Sequence, residues 1–248
     1  MKKKRRRLRK SVFITLFVIF SSLFLYSSYR IIDWKINNRN NSRINKTLHK
    51  YVTTDSNEKF KINFDKLKEL NSDTVAYIKV NNTNIDYVVV QTNDNDYYLT
   101  HNFEKKNNKS GWIFMDYNNK LDGEDKNIII YGHNTIDKSM FGSLKSVLEK
   151  EWYENENNHK IIFATTNGVY EYEVFSVYKI DNEEYYITTN FTTSKDYQKF
   201  LNTIKKRSKY NFNVELNDND HILTLSTCSN NGNKRVVLHA KRLDKVVE

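Results

Sequence analysis

The chain has 248 residues and a formal net charge of +10, and eight of its 40 Lys and Arg residues fall within residues 1–10. The remaining residues carry 32 basic against 30 acidic side chains, so the excess belongs to the N-terminus and a basic, nucleic-acid-binding face on a folded domain is not expected. One cysteine, Cys228, excludes an internal disulfide framework and any multi-cysteine metal site, while an aromatic content of 14% provides material for one sizeable core.

The basic block over residues 1–10 is followed by Ser11–Tyr29, 19 residues without a charge, which is long enough to span a bilayer core. Positive charge ahead of such a stretch predicts that the N-terminus stays in the cytoplasm and that everything after Arg30 lies outside. A cleaved signal peptide has the same charge order. The length of the apolar region, and the lack of an A-x-A-like site after it, favour an uncleaved anchor. Residues 30–70 read as an Asn-rich helical stalk, with Trp34, Ile36, Ile44 and Leu48 loosely spaced for a helix and Phe64, Leu67 and Leu70 marking a second, short one.

From residue 71 to the end the pattern is that of strands. AYIKV and IDYVVVQ form a hairpin, Ser110–Tyr117 is a strand, and Asn127–Asn134 is a buried strand running into Gly132-His133. Ser139–Lys150 reads as a short helix, and a long hairpin turns about Asn167-Gly168, a favoured tight-turn pair. A helix over about 193–209 can be capped by Thr193 or Ser194, with Tyr197, Phe200, Leu201 and Ile204 on one face. The last hairpin pairs a strand ending at Cys228 with one opened by Arg235, across Ser229–Lys234. About eight strands with few helices predict a mainly β fold closed, or nearly closed, into a barrel. The chain therefore divides into a basic segment (1–10), an anchor (11–29), a stalk (30–70) and a barrel domain (71–248).

A lone cysteine is a nucleophile only where a base or acid can reach it. Six histidines are available. His49 falls in the stalk, His101 and His159 in polar loops, and His221 and His239 in the last hairpin. His133 differs, because it sits where a buried strand gives way to a loop, a place where a side chain is both held and exposed. Arg235 cannot lose its proton and would serve as a fixed donor to a developing oxyanion. Strand alternation puts Thr224, Ser226 and Cys228 on one face, which makes Ser226 a candidate substrate contact. The acidic run at 93–96 lacks the glycine of a calcium loop, so no metal is expected there. The basic run at 205–209 reads as a solvated helix face.

These residues resemble the sortase family. TLSTC at Thr224–Cys228, followed by an arginine opening V-V-L-H-A-K, is similar to the family's cysteine strand and arginine, and IIIYGHN at 128–134 to its histidine motif. Class B sortases are the most similar, through the helical N-terminal extension, the helix before the cysteine strand, and the segments VVVQTNDNDYYL (88–99) and GWIFMDY (111–117). The resemblance implies an eight-stranded sortase-type barrel behind one transmembrane helix, acting as a cysteine transpeptidase at the cell membrane without a cofactor. It implies that Cys228, His133 and Arg235 are catalytic, with the adjacent Lys234 the competing choice for the cation. Tyr186, Ile187, Asn95 and Leu99, together with Ser226, would line a groove for a C-terminal sorting signal of N-P-x-T-[NG] type on a secreted protein. A peptidoglycan amine would then accept the acyl group. The same fold also serves pilin polymerisation, and a catalytically silent, membrane-tethered binding protein is the reading from a different class. The lack of a lid segment argues against the first, and the joint presence of Cys228, His133 and Arg235 against the second.

Overall fold

The computed structural model describes residues 10–54, 60–181, 183–228 and 234–246, and gives the backbone alone for Cys228 and residues 244–246. The first nine residues of the basic segment and residues 229–233 of the final hairpin's connection lie outside the described residues.

Helix α1 (Lys10–Leu48) runs for 39 residues without a break. No Gly or Pro interrupts the sequence over that span, so nothing stops the helix at the end of the apolar stretch. An 18-residue window near its start has a mean hydropathy of 1.9, and none of it is buried. The other end is docked, with Asn38, Asn41, Ile44 and Leu48 forming one buried stripe. The expected helical stalk, residues 30–70, is only partly helical. Its first half is the continuation of α1, followed by β1 (Val52–Thr54) paired antiparallel with β2 (Phe60–Ile62) and then by α2 (Phe64–Leu70). The Asn63 side chain caps α2 by accepting from the Lys66 N–H at 3.0 Å. Phe64 and Leu67 are buried in the core, while Leu70 is exposed.

Eight strands then close into a barrel. They are β3 (Thr74–Val80), β4 (Asp86–Val90), β5 (Phe114–Met115), β6 (Asn127–His133), β7 (Lys160–Thr165), β8 (Gly168–Asp181), β9 (Ile222–Cys228) and β10 (Lys234–Val246), in the order β10-β8-β7-β3-β4-β5-β6-β9. The β4–β5 and β6–β9 pairings are parallel and the others antiparallel. Every residue of β6 is buried, as expected of the apolar run NIIIY. The β7–β8 turn is Thr166-Asn167, one residue earlier than expected, because Gly168 already pairs with Thr165 as the first residue of β8, with a φ of 137° that a side chain would oppose. Closure leaves no exposed barrel edge.

The connections carry the one-turn helices α3 (Tyr97–Thr100) and α4 (Lys150–Tyr153) and the longer α5 (Ser194–Lys206). Thr193 caps α5 through the Asp196 N–H at 3.1 Å. Tyr197, Phe200, Leu201 and Ile204 bury its apolar face against Phe175, Ile180, Ile222 and Val237. At roughly 1.5–3 kcal/mol for each fully buried large apolar side chain, that face alone fixes the helix on the barrel wall.

Two expected elements differ. Only Phe114–Met115 of the predicted strand 110–117 joins the sheet, because Gly111 at φ 56° turns the chain out of extended geometry. The predicted helix 139–150 is instead an irregular turn, a 3-10 segment at Leu144–Leu148 and α4. Lys138 and Met140 take positive φ values of 63° and 48°, which no α-helix accommodates.

Candidate active site

The parallel pairing of β6 with β9 places the backbones of the expected nucleophile and its histidine next to each other. Register runs from Asn127 opposite Ile222 to His133 opposite Cys228, so both strands end at the same rim. Of the six histidines, His133 is the one whose backbone pairs with Cys228. Strand β10 returns along the other side of β9, with Val237 opposite Ser226. Arg235 lies two positions before Val237 on β10 and Cys228 two positions after Ser226 on β9, both just past the last residues that these two strands pair with each other. Arg235 itself pairs with Ile180 of β8.

His133 is buried, at 6% exposure, and its Nε2 donates to the carbonyl of Leu99 at 2.7 Å. A carbonyl can only accept, so this bond puts a proton on Nε2 and makes Nδ1 the nitrogen that can exchange one. Gly132 is dictated by packing. A Cβ there would stand 2.5 Å from Ile113 Cδ1 and 2.8 Å from Phe141 Cγ. The loop that follows His133 folds back onto the strand, with the Phe141 N–H donating to the His133 carbonyl at 3.0 Å.

The remaining predicted residues fall into two groups. Tyr186, fully buried in the β8–α5 connection, shares a hydrogen bond with Ser226 Oγ at 2.8 Å and accepts from Arg235 Nη1 at 3.3 Å. Ser226, Tyr186 and Arg235 thus form one polar string beneath the rim, and Ile187 packs beside it, partly buried between the barrel core and the α5 cluster. Asn95 lies apart from this string, in the β4–α3 connection. Its Nδ2 donates to Asp116 at 2.9 Å, its Oδ1 accepts from the Tyr117 N–H at 3.1 Å, and Asp116 also accepts from the Tyr131 hydroxyl at 2.8 Å. Both ends of this amide hold loop backbone and carboxylate together. Leu99 reaches His133 through its backbone carbonyl.

The other histidines are placed for structural roles. His101 stacks on Tyr97 at 4.2 Å, and His159 packs among Trp152, Tyr153 and Phe212. His49 sits 3.3 Å from Asp86, and His221 Nδ1 donates to the Asp125 carbonyl at 2.8 Å. His239 is wholly buried between Thr224 Oγ1 and the Tyr178 hydroxyl, each at 2.8 Å, and burial drives its pKa down to about 3, so it stays neutral. Thr224 donates onward to Asn127 Oδ1 at 2.6 Å, and Asn127 Nδ2 donates to the Thr188 carbonyl at 2.9 Å, which ties the segment bearing Tyr186 and Ile187 to the barrel. Sequence reading places His239 in a strand but gives no sign of this network, because its members are scattered from residue 127 to 239.

Among the described residues no group of three or more His, Cys, Asp or Glu is arranged to hold a metal ion. Asp94, in the acidic run, opens α3 by accepting from the Asp96 and Tyr97 N–H groups, each at 2.8 Å. Those two backbone bonds lower its pKa.

Comparison with known proteins places residues 78–243 within the Sortase domain family. The sortase B of Listeria monocytogenes serovar 1/2a is 36% identical over 220 residues, covering 87% of this chain and 88% of that protein. The sortase B of Staphylococcus aureus strain NCTC 8325 is 40% identical over 182 residues, covering 72% and 73%. Among solved structures, Bacillus anthracis sortase B in complex with AAEK1 superimposes with a TM-score of 0.76 at 32% identity, covering 85% of this chain and 99% of that one. The Staphylococcus aureus sortase B–substrate complex gives 0.74 at 33%, covering 87% and 100%. A sortase B complexed with triglycine gives 0.74 at 34%, covering 86% and 99%.

Proposed function

Because this chain belongs to the sortase family and is a class B cysteine transpeptidase, we propose that it cleaves a C-terminal sorting signal of N-P-x-T-[NG] type after Thr and joins the carrier protein to a peptidoglycan amine. The observation that carries the assignment of residues is the pairing of His133 with Cys228 at the ends of two parallel strands. The complexes of related enzymes with a substrate and with triglycine support a peptide donor and an amine acceptor.

In this reading the Cys228 thiolate attacks the Thr carbonyl carbon. The carbonyl electron pair moves onto oxygen, and the Arg235 guanidinium, steadied by the Tyr186 hydroxyl, donates to that oxyanion. Collapse breaks the C–N bond, and His133 delivers its Nδ1 proton to the leaving amine while Nε2 stays on the Leu99 carbonyl. The carrier is then held as a thioester. His133 next takes a proton from the incoming amine, which attacks the thioester and restores the thiolate. Where no amine arrives, water hydrolyses the thioester. A free thiol has a pKa of about 8.5, so the fraction in the reactive form depends on the positive charge that Arg235 and protonated His133 bring to the rim. Ser226, Tyr186, Ile187, Asn95 and Leu99 would form or support the walls of the peptide groove.

The apolar, unburied start of α1 supports a single-pass anchor with a cytoplasmic N-terminus and an extracellular barrel. The division into segments 1–10, 11–29, 30–70 and 71–248 is retained for that topology, with the boundary at residue 30 crossed by one continuous helix.

The test uses the purified chain with fluorescence-quenched peptides of N-P-x-T-[NG] and L-P-x-T-G type. Cleavage after Thr is expected, with transfer to an added amine, and Cys228→Ala abolishes it. Turnover by Cys228→Ala, or none by the wild type on any sorting peptide, rejects the mechanism.

A further inference from the structure

The Asn-rich half of α1 makes a contact that anchoring alone does not require. Asn41, 1% exposed, donates from Nδ2 to the Gly111 carbonyl at 2.9 Å and accepts at Oδ1 from Asn108 Nδ2 at 2.9 Å. The Gly111 carbonyl shares a peptide group with the Trp112 N–H, which donates to the Tyr98 carbonyl at 2.9 Å. The next carbonyl along, that of Leu99, accepts from His133 Nε2 at 2.7 Å. Three hydrogen bonds therefore connect the helix amide to the imidazole. Gly111 also lies against the ring itself, since a Cβ there would stand 2.9 Å from His133 Cδ2.

The second loop beside His133 is held by the same helix. Asn38 Nδ2 donates to Asp137 Oδ2 at 2.6 Å, and its Oδ1 accepts from the Ser110 hydroxyl. Asp137 Oδ1 accepts from the Ser139 hydroxyl at 2.7 Å, and two residues later the Phe141 N–H is bonded to the His133 carbonyl. Asn38 and Asn41 thus grip, from one helix face, both loops between which His133 sits. Apolar residues at these positions would bury the face with less desolvation, but they would not fix one register. A fully satisfied buried polar network does.

We propose that Asn41 and Asn38 are positioning residues for the transpeptidation reaction, and that α1 completes the active site by locking the loops 98–112 and 134–141 around His133. The proposal rests on His133 being the proton-transfer residue. Its consequence is specific. Loss of the Asn41 donor frees the Gly111–Trp112 peptide to rotate, the Leu99 carbonyl shifts, and the imidazole loses the partner that keeps the proton on Nε2.

The experiment uses the full chain in detergent micelles and a fluorescence-quenched sorting peptide. Asn41→Asp keeps size and the acceptor for Asn108 but removes the donor, and Asn41→Leu removes both. Each is expected to lower kcat by about ten- to a hundredfold, as small misplacements of a reacting group do, with KM within about twofold and the pH profile of kcat displaced. Asn38→Ala is expected to behave in the same way, more mildly. Lys109→Ala removes an exposed ion pair with Asp33 on the same helix contact (2.7 Å) and should leave all three readouts unchanged. Folding is followed by thermal denaturation, and where Asn41→Leu fails to fold, the isosteric Asn41→Asp and the smaller Ser110→Ala decide. Folded Asn41 variants with wild-type kcat and pH profile overturn the proposal. A fall in kcat that only tracks the loss of folded protein, with an unmoved pH profile, overturns it as well. A turnover-competent His133→Gln enzyme would instead overturn the underlying assignment of His133, so the two failures are distinguishable.

Discussion

Removing one oxygen atom tests the polar string under the rim. In Tyr186→Phe the ring stays in its fully buried slot while the hydroxyl that joins Ser226 at 2.8 Å and Arg235 at 3.3 Å is lost. A buried neutral hydrogen bond contributes about 1 kcal/mol net, and one to a charged group about 1.5–3 kcal/mol. The Arg235 contact is long, so about 1.5 kcal/mol is the appropriate end of that range, and the two together come to about 2.5 kcal/mol of stability. For a domain of this size each kcal/mol moves the melting midpoint by about 2–4 °C, so a fall of about 5–10 °C is expected by circular dichroism. In the proposed mechanism the effect on kcat passes through Arg235. If about 1.5 kcal/mol of its positioning is lost at the transition state, kcat/KM falls by roughly tenfold, mostly in kcat. A double-mutant cycle with Ser226→Ala isolates the Tyr–Ser bond and should show a coupling of about 1 kcal/mol in stability. Wild-type melting and turnover in Tyr186→Phe, or strict additivity with Ser226→Ala, would refute the string.

Three further outcomes follow from other parts of the structure. Burial holds His239 at a pKa of about 3 against an ordinary 6.5, so the unfolded chain takes up a proton there that the native one refuses. Its contribution is complete above about pH 6.5 and is lost as pH falls towards 3, which amounts to about 2 kcal/mol by pH 5. His239→Gln should flatten the fall of melting midpoint between pH 7 and 5, and an equal fall in both proteins contradicts this. Gly132→Ala forces a methyl to within 2.5 Å of Ile113 and 2.8 Å of Phe141, so a loss of about 1–3 kcal/mol is expected in denaturant titration, partly recovered by adding Ile113→Val. Failure of that rescue would point to the backbone rather than the contact. Arg235→Lys should reduce peptide cleavage, because a point charge cannot reproduce a planar fork; undiminished turnover would transfer the role to Lys234.

The barrel was legible because its strands are long or periodic. The closing hairpin and the capped helix α5 each carry a local chemical signature that survives into the structure, and the Asn-Gly pair marks the β7–β8 hairpin although its turn falls one residue earlier, at Thr166-Asn167. What escaped was of two kinds. Strands β1 and β2, three residues each, are too short for any period to register. The docked half of α1 is hidden for a different reason. Hydrophobic periodicity searches for an apolar stripe, and here half of the buried stripe is asparagine. Such a contact is defined by loop carbonyls and side chains far along the chain, 70 positions from Asn41 and 99 from Asn38, which no window of sequence contains. At the candidate site, motif order named the residues, but the sequence could not say that β6 and β9 lie side by side, or that the Leu99 carbonyl accepts from the histidine. Asn95 shows the converse: its type suits a substrate contact, while its amide is engaged at both ends by the Asp116–Tyr117 turn.

In the proposed mechanism the pairing of β6 with β9 also governs when chemistry becomes possible during the life of the molecule. Its partners are 95 residues apart in the chain, and both the strand bearing Cys228 and the strand that flanks it leave the ribosome well after β6. Contacts of such long range form late, after the loop-closure entropy of the intervening chain has been overcome, and barrels rich in them fold in milliseconds to seconds rather than microseconds. Residues 133 and 228 are therefore expected to show φ-values near zero in a folding transition state built from the β3–β4 and β7–β8 hairpins. A nascent or partly folded chain has both residues but not the pairing of their strands, so under the proposed mechanism turnover waits until the barrel shuts.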